Sequence, residues 1–126
     1  MSRIRRVLLV GHCAADAWVL DRAVKEVFKG VEVESANDQS SIQNAGADEL
    51  LLVNRVLDGR FNSAGGIDLI QRMKDNGSPA ALMLISNFAE SQDQAVEAGA
   101  LPGFGKSDTG SQMMVDALRA VEVNDE

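Results

Sequence analysis

Three short stretches of the chain, Val7-Leu8-Leu9-Val10, Leu50-Leu51-Leu52-Val53 and Ala81-Leu82-Met83-Leu84-Ile85, are apolar at every position. A run with no alternation leaves no side for water, so each reads as a strand covered on both faces, as in a parallel sheet. Between these runs the apolar period lengthens to that of a helix. Leu20, Val24, Val27 and Phe28 share one face, as do Ile67, Leu69, Ile70 and Met73, and later Met114, Ala117, Leu118 and Val121. Strands alternating with amphipathic helices imply an α/β layered domain.

The remaining segments are weaker. Val31-Glu32-Val33-Glu34 alternates and reads as a strand with one wet face. Leu101-Pro102-Gly103-Phe104-Gly105 is a poor strand, because proline and glycine interrupt it, and belongs at a sheet edge. The first helix is expected to begin at Ala15 or Asp16, as its cap, and to end before Gly30. A short helix is expected around Ser40–Ala45, another over Ser91–Ala98, and a last one capped by Asp108 or Thr109. Arg55–Gly66 reads as a long loop rich in glycine and polar residues. Five strands and five helices fill residues 1–126 as one domain.

A chain of 126 residues with 45% hydrophobic and 25% charged residues can bury a core without staples. Nineteen acidic against twelve basic residues give a net charge of −7, which opposes a general affinity for nucleic acid or an anionic membrane. The single cysteine excludes an internal disulfide. Val7–Val10 is too short to span a membrane or serve as a signal segment, so a cytoplasmic protein is expected. Arg3, Arg5 and Arg6 are expected to be solvated or paired with Glu122 and Asp125.

In an open parallel sheet, function gathers beyond the carboxyl ends of the strands. Here those ends carry Gly11, His12 and Cys13, then Asn54, then Ser86 and Asn87, and finally Lys106. Asp48-Glu49-Leu50-Leu51-Leu52-Val53-Asn54, the strand ending in Ser86, Ala95-Val96-Glu97-Ala98-Gly99-Ala100 and Phe104-Gly105-Lys106 follow in an order that resembles the receiver domain of bacterial response regulators (CheY-like) over nearly the whole chain. The resemblance implies a doubly wound (βα)5 three-layer sandwich, flavodoxin-like, with strand order 2-1-3-4-5. Helices one and five would lie on one face and two to four on the other.

Receivers accept a phosphoryl group from a histidine kinase onto their own aspartate. An acidic pair after the first strand and that aspartate hold Mg²⁺, while a hydroxyl and a lysine engage the phosphoryl oxygens. Carried over, the acidic pair falls on Gly11 and His12, the acceptor on Asn54, the hydroxyl on Ser86 and the lysine on Lys106. The resemblance therefore implies a degenerate site. Glycine has no side chain, neutral histidine is a soft ligand, and asparagine is neither charged nor a nucleophile for an acyl phosphate. The switch aromatic of the family falls on Gly103, with Phe104 one step later and aimed the other way by strand alternation.

Several residues carry two readings. Lys106 either hydrogen-bonds Asn54 and strand-end carbonyls or joins Ser86 in a small anion site. Cys13 either packs half-buried under the first helix or acts as a nucleophile with His12 as base; no metal site is expected from this pair. Trp18, Phe61 and Phe104 are candidate partner contacts, against tryptophan shielding the sheet edge and Phe61 folding back onto the body. The expected function is phosphorylation-independent protein interaction in a two-component or related signalling pathway, through the face of helix four, strand five and helix five. It needs no cofactor, metal or catalysis, and implies a monomer or weak homodimer. The alternative is a receiver regulated at its crevice by an anion, a small ligand or unconventional phosphotransfer.

Overall fold

The computed structural model describes residues 3–123. Strands β1 (Arg6–Val10), β2 (Glu32–Ala36), β3 (Glu49–Asn54), β4 (Ala81–Ile85) and β5 (Leu101–Phe104) form one parallel sheet in the order β2-β1-β3-β4-β5. The helices are α1 (Ala14–Val27), α2 (Gly66–Asp75), α3 (Ala89–Glu97) and α4 (Gln112–Val123). None of the helices of the described residues is long and apolar enough to cross a membrane.

The period-two geometry of a strand sends successive side chains to opposite faces. Leu50 and Leu52 therefore join α1 and α4, while Leu51 and Val53 join α2 and α3. All four are fully buried. Each such side chain contributes about 1.5–3 kcal/mol of transfer free energy, which makes β3 the centre of both cores.

The helix expected around Ser40–Ala45 is absent. Residues 40–45 contain only the end of a 3₁₀ turn, Gln39–Ser41. The Asp38 carboxylate accepts the Ser41 N–H at 3.0 Å and the hydroxyls of Ser40 and Ser41 at 3.1 and 2.6 Å. These bonds cap the start of the turn, which ends at Ile42, whose N–H closes back on the Gln39 carbonyl. Ile42 anchors the connection by burying its side chain completely. The layers are accordingly α1 with α4 on one side and α2 with α3 on the other.

The caps also differ from expectation. Cys13 is the N-cap of α1, and Asp16 lies in the first turn with its carboxylate on Lys106. Ser111 caps α4, its hydroxyl accepting the Met114 N–H at 3.4 Å, whereas Asp108 and Thr109 close the preceding turn. Arg6 pairs with Glu34 and, at 3.1 Å, Glu49. Asp125 lies outside the described residues.

Along β4 and β5, Met83 faces Leu101 but Ile85 faces Phe104, so β5 carries one extra residue at Pro102-Gly103. The bulge turns Phe104 into the α1/α4 core, where it is 1% exposed. Phe104 is thus not a surface for a partner. Gln92 of α3 fills the irregularity: its Nε2 donates to the carbonyls of Leu84, Ser86 and Phe104, and its Oε1 accepts the Gly103 N–H at 3.1 Å.

Candidate functional site

The parallel sheet brings Gly11, His12, Asn54, Ser86 and Lys106 to one end, as expected from the strand termini. Their side chains bond chiefly to other groups. The Gly11 carbonyl accepts both the Asn54 side-chain amide at 2.9 Å and the Asp58 N–H at 2.8 Å. Gly11 has φ +73°, and a Cβ there would lie 2.7 Å from Leu57 Cδ2 and 3.1 Å from Leu57 Cα. An L side chain at this position meets both an unfavourable backbone region and an occupied volume.

His12 is 1% exposed, and its Nε2–H donates to the Leu52 carbonyl at 2.8 Å. Its Nδ1 is buried without a partner. Burial, reinforced by the nearby Lys106 charge, holds this imidazole below the usual histidine range, against the smaller opposing pull of the Leu52 carbonyl and Asp16. The ring is therefore a neutral element of the interior.

Ser86 is buried, and its hydroxyl accepts the Phe88 N–H at 3.2 Å at the start of α3. Lys106 turns away from Asn54: its ammonium meets Asp16 at 3.0 Å. Lys106 in turn holds the Asp16 carboxyl below the ordinary range, chiefly by this hydrogen bond. An anion bridging Ser86 and Lys106 would have to compete with that carboxylate. Cys13 is exposed, contrary to the half-buried expectation, because as N-cap it projects from the start of α1. Among the described residues no group of three His, Cys, Asp or Glu side chains is placed to hold a metal ion.

The loop after β3 closes the crevice. Beyond the Asp58–Gly11 bond, Arg60 N–H donates to Asn37 O at 2.8 Å and Gln39 N–H to Arg60 O at 2.9 Å, forming a parallel bridge between Asp38 and Arg60. Gly59 is required there, since a Cβ would sit 2.1 Å from the Asn37 carbonyl oxygen. Phe61 folds back, partly buried, against the α2/α3 core. Leu57 was missed by the sequence reading, although a leucine inside a polar loop is a usable signal. Gln92 carried none.

The exposed apolar groups lie elsewhere. Trp18 is 61% exposed with the Arg22 guanidinium 4.9 Å from its ring centroid, and Arg55 stacks likewise on exposed Phe88. A groove of about 820 Å³ runs between α3, β5 and α4, with Val96, Pro102 and Met113 among its lining and Asp93, Glu97 and Asp108 as its charged groups. No lysine or arginine lines it among the described residues.

No family model matches the chain, and no curated protein matches it. Solved structures do resemble it. A response regulator from Thermotoga maritima superposes with a TM-score of 0.72 at 13% identity, covering 96% of this chain and 99% of that one. The signal receiver domain of a DNA-binding response regulator from Colwellia psychrerythraea gives 0.70 at 12% identity, covering 92% and 96%. NtrX from Brucella abortus gives 0.72 at 21% identity over 94% of this chain and 27% of its own. At these identities the likeness is one of architecture: the chain has the five-stranded parallel fold of bacterial response-regulator receiver domains.

Proposed function

We propose that this receiver-fold protein acts by binding another protein in a signalling pathway, without enzymatic activity and without a phosphorylation cycle at its strand-end crevice. The observation that carries the reading is that the crevice is filled from within: Leu57 occupies the space beside Gly11, and Asn54 is bonded to the Gly11 carbonyl. A hard cation such as Mg²⁺ wants an octahedron of oxygens that includes carboxylates. At the corresponding positions stand a glycine with no room for a side chain, a histidine bonded inward to Leu52, and a neutral amide. These residues do not fit Mg²⁺, and Asn54 offers no nucleophile to phosphorylate.

The groove between α3, β5 and α4 supports a protein partner. Val96 and Met113 are 43% and 58% exposed, and α3 carries Glu90, Asp93 and Glu97 with no basic residue. Strand addition along β5 is disfavoured, because Pro102 has no N–H and the Gly103 N–H is taken by Gln92. An amphipathic helix with an apolar stripe and flanking lysine or arginine matches the groove in polarity and charge.

Two titrations followed by ¹⁵N NMR test the reading. Mg²⁺ with beryllofluoride should give no coupled, saturable response on the native chain or on Asn54→Asp, and a receiver-like response on the native chain would defeat it. A designed leucine-faced helical peptide with lysine flanks should shift resonances of α3, β5 and α4, and Val96→Asp with Met113→Asp should abolish the effect. A peptide with glutamate flanks that binds equally well would overturn the charge argument.

A further inference from the structure

The missing helix leaves a second groove. Because residues 39–41 make only one 3₁₀ turn, the β2–β3 connection does not close over the flank of α2. A cavity of about 680 Å³ remains between this connection, Asn62 of the closing loop and the end of α2 with its following turn. It shares no lining residue with the α3–β5–α4 groove and none with the strand-end residues.

In a chain with 25% charged residues, no Asp, Glu, Lys or Arg lines this cavity among the described residues. Its walls carry the side-chain amides of Gln39, Gln43, Asn44, Asn62 and Asn76. Ile42, Ala45 and Met73, all buried, supply an apolar floor. Only Gln39 Oε1 is engaged, accepting the Asn62 N–H at 3.2 Å. The side-chain amides of Gln43, Asn44, Asn62 and Asn76 have no protein partner among the described residues. Elsewhere Gln71, Gln92 and Gln112 make intramolecular bonds, whereas the exposed side chains of Asn37 and Gln94 make none among the described residues, so what sets the groove apart is the gathering of five amides on one cavity. An adjoining cavity of about 300 Å³ extends the groove past Asn62 and Asn76. Its charged residues, Arg72 and Asp75, are held by Asp68 and Gln71.

From this placement we infer that the groove between the β2–β3 connection and α2 binds a neutral carbohydrate of one or two sugar rings. A primary amide offers two donors and an acceptor, and a hydroxyl offers one donor and two acceptor lone pairs. Adjacent amides therefore match adjacent hydroxyls, and walls without a charged side chain offer an ion no counter-charge. The volume falls within the range of small-molecule sites, and with Ile42, Ala45 and Met73 buried beneath them the amides form the contact surface. No aromatic ring lines the cavity, which argues against a flat base held by stacking.

Titration of the full-length protein with glucose and with maltose, followed by ¹⁵N NMR of the side-chain amides, tests the inference. Saturable shifts are expected at Gln43, Asn44, Asn62 and Asn76, with a Kd of about 1 mM, as befits a ligand of this size. Asn44→Ala and Asn76→Ala, both at exposed positions, should each weaken binding about five- to tenfold with the spectrum otherwise retained. Glucose 6-phosphate should bind no more tightly than glucose. Absence of saturation with both neutral sugars, affinity unchanged in both variants, or preference for the phosphorylated sugar would overturn the assignment.

Discussion

The strand-end crevice and the α3–β5–α4 groove lie at the margins of the same sheet and have opposite characters. At the crevice most polar groups answer to one another, Asn54 and Asp58 to the Gly11 carbonyl, His12 Nε2 to Leu52, Ser86 to Phe88 and Lys106 to Asp16, with the buried His12 Nδ1 left without a partner. At the groove Val96 and Met113 stand in solvent beside Asp93 and Glu97. Satisfied polar groups gain little from a ligand, because binding must first break bonds already made. Exposed apolar surface gains from being covered. The same fold thus has one edge closed by its own chain and another left open.

The largest test of this contrast is Gly11→Asp, which would restore the carboxylate of an ordinary receiver. The left-handed backbone and the Leu57 overlap should together cost about 3 kcal/mol, read by urea unfolding. A near-neutral result would mean that the crevice is not closed. Next is Gln92→Leu, which removes the side chain that joins β4 to β5 at the floor of the open groove. It leaves the Leu84 and Phe104 carbonyls and the Gly103 N–H without that partner and should cost about 2 kcal/mol. Faster hydrogen exchange at Gly103 would localise the loss, and unchanged exchange there would separate Gln92 from the stability of the groove.

The smallest effect concerns pH. His12 is held neutral in the folded protein, chiefly by burial, with Lys106 opposing and Asp16 favouring its charged form. Its stabilising share is fully present above the ordinary histidine value, about 6.5. It declines as pH falls below that value, because the unfolded chain then binds a proton that the folded chain refuses, by at most about 1.4 kcal/mol per unit. His12→Gln should flatten this slope in urea titrations across that window. A slope that persists unchanged would assign the acid sensitivity to other groups.

The three central strands, β1, β3 and β4, were legible because each is short, apolar and buried on both faces, so a local run reports a global position. Leu50–Val53 could belong nowhere else than the middle of the sheet. The helix expected near Ser40–Ala45 ended after the one turn that Asp38 caps, at Ile42, whose side chain is drawn fully into the α2/α3 core. Phe104 was a candidate partner contact, but it lies on the side of β5 opposite Gly103, and that side is the buried α1/α4 core.

Gly11, His12, Asn54, Ser86 and Lys106 were legible as a group, since they follow strands whose ends must align. Their partners were not. Lys106 meets a carboxylate 90 positions away, and the side chain that fills the Gly11 position comes from a loop after β3. Local sequence determined which segments bury themselves and therefore the layered α/β plan, because burial on both faces leaves its mark residue by residue. Which polar atoms meet, which crevice closes and which groove stays open were decided only by the packed chain, because a hydrogen bond or a steric overlap depends on ångström distances between residues that no local pattern relates.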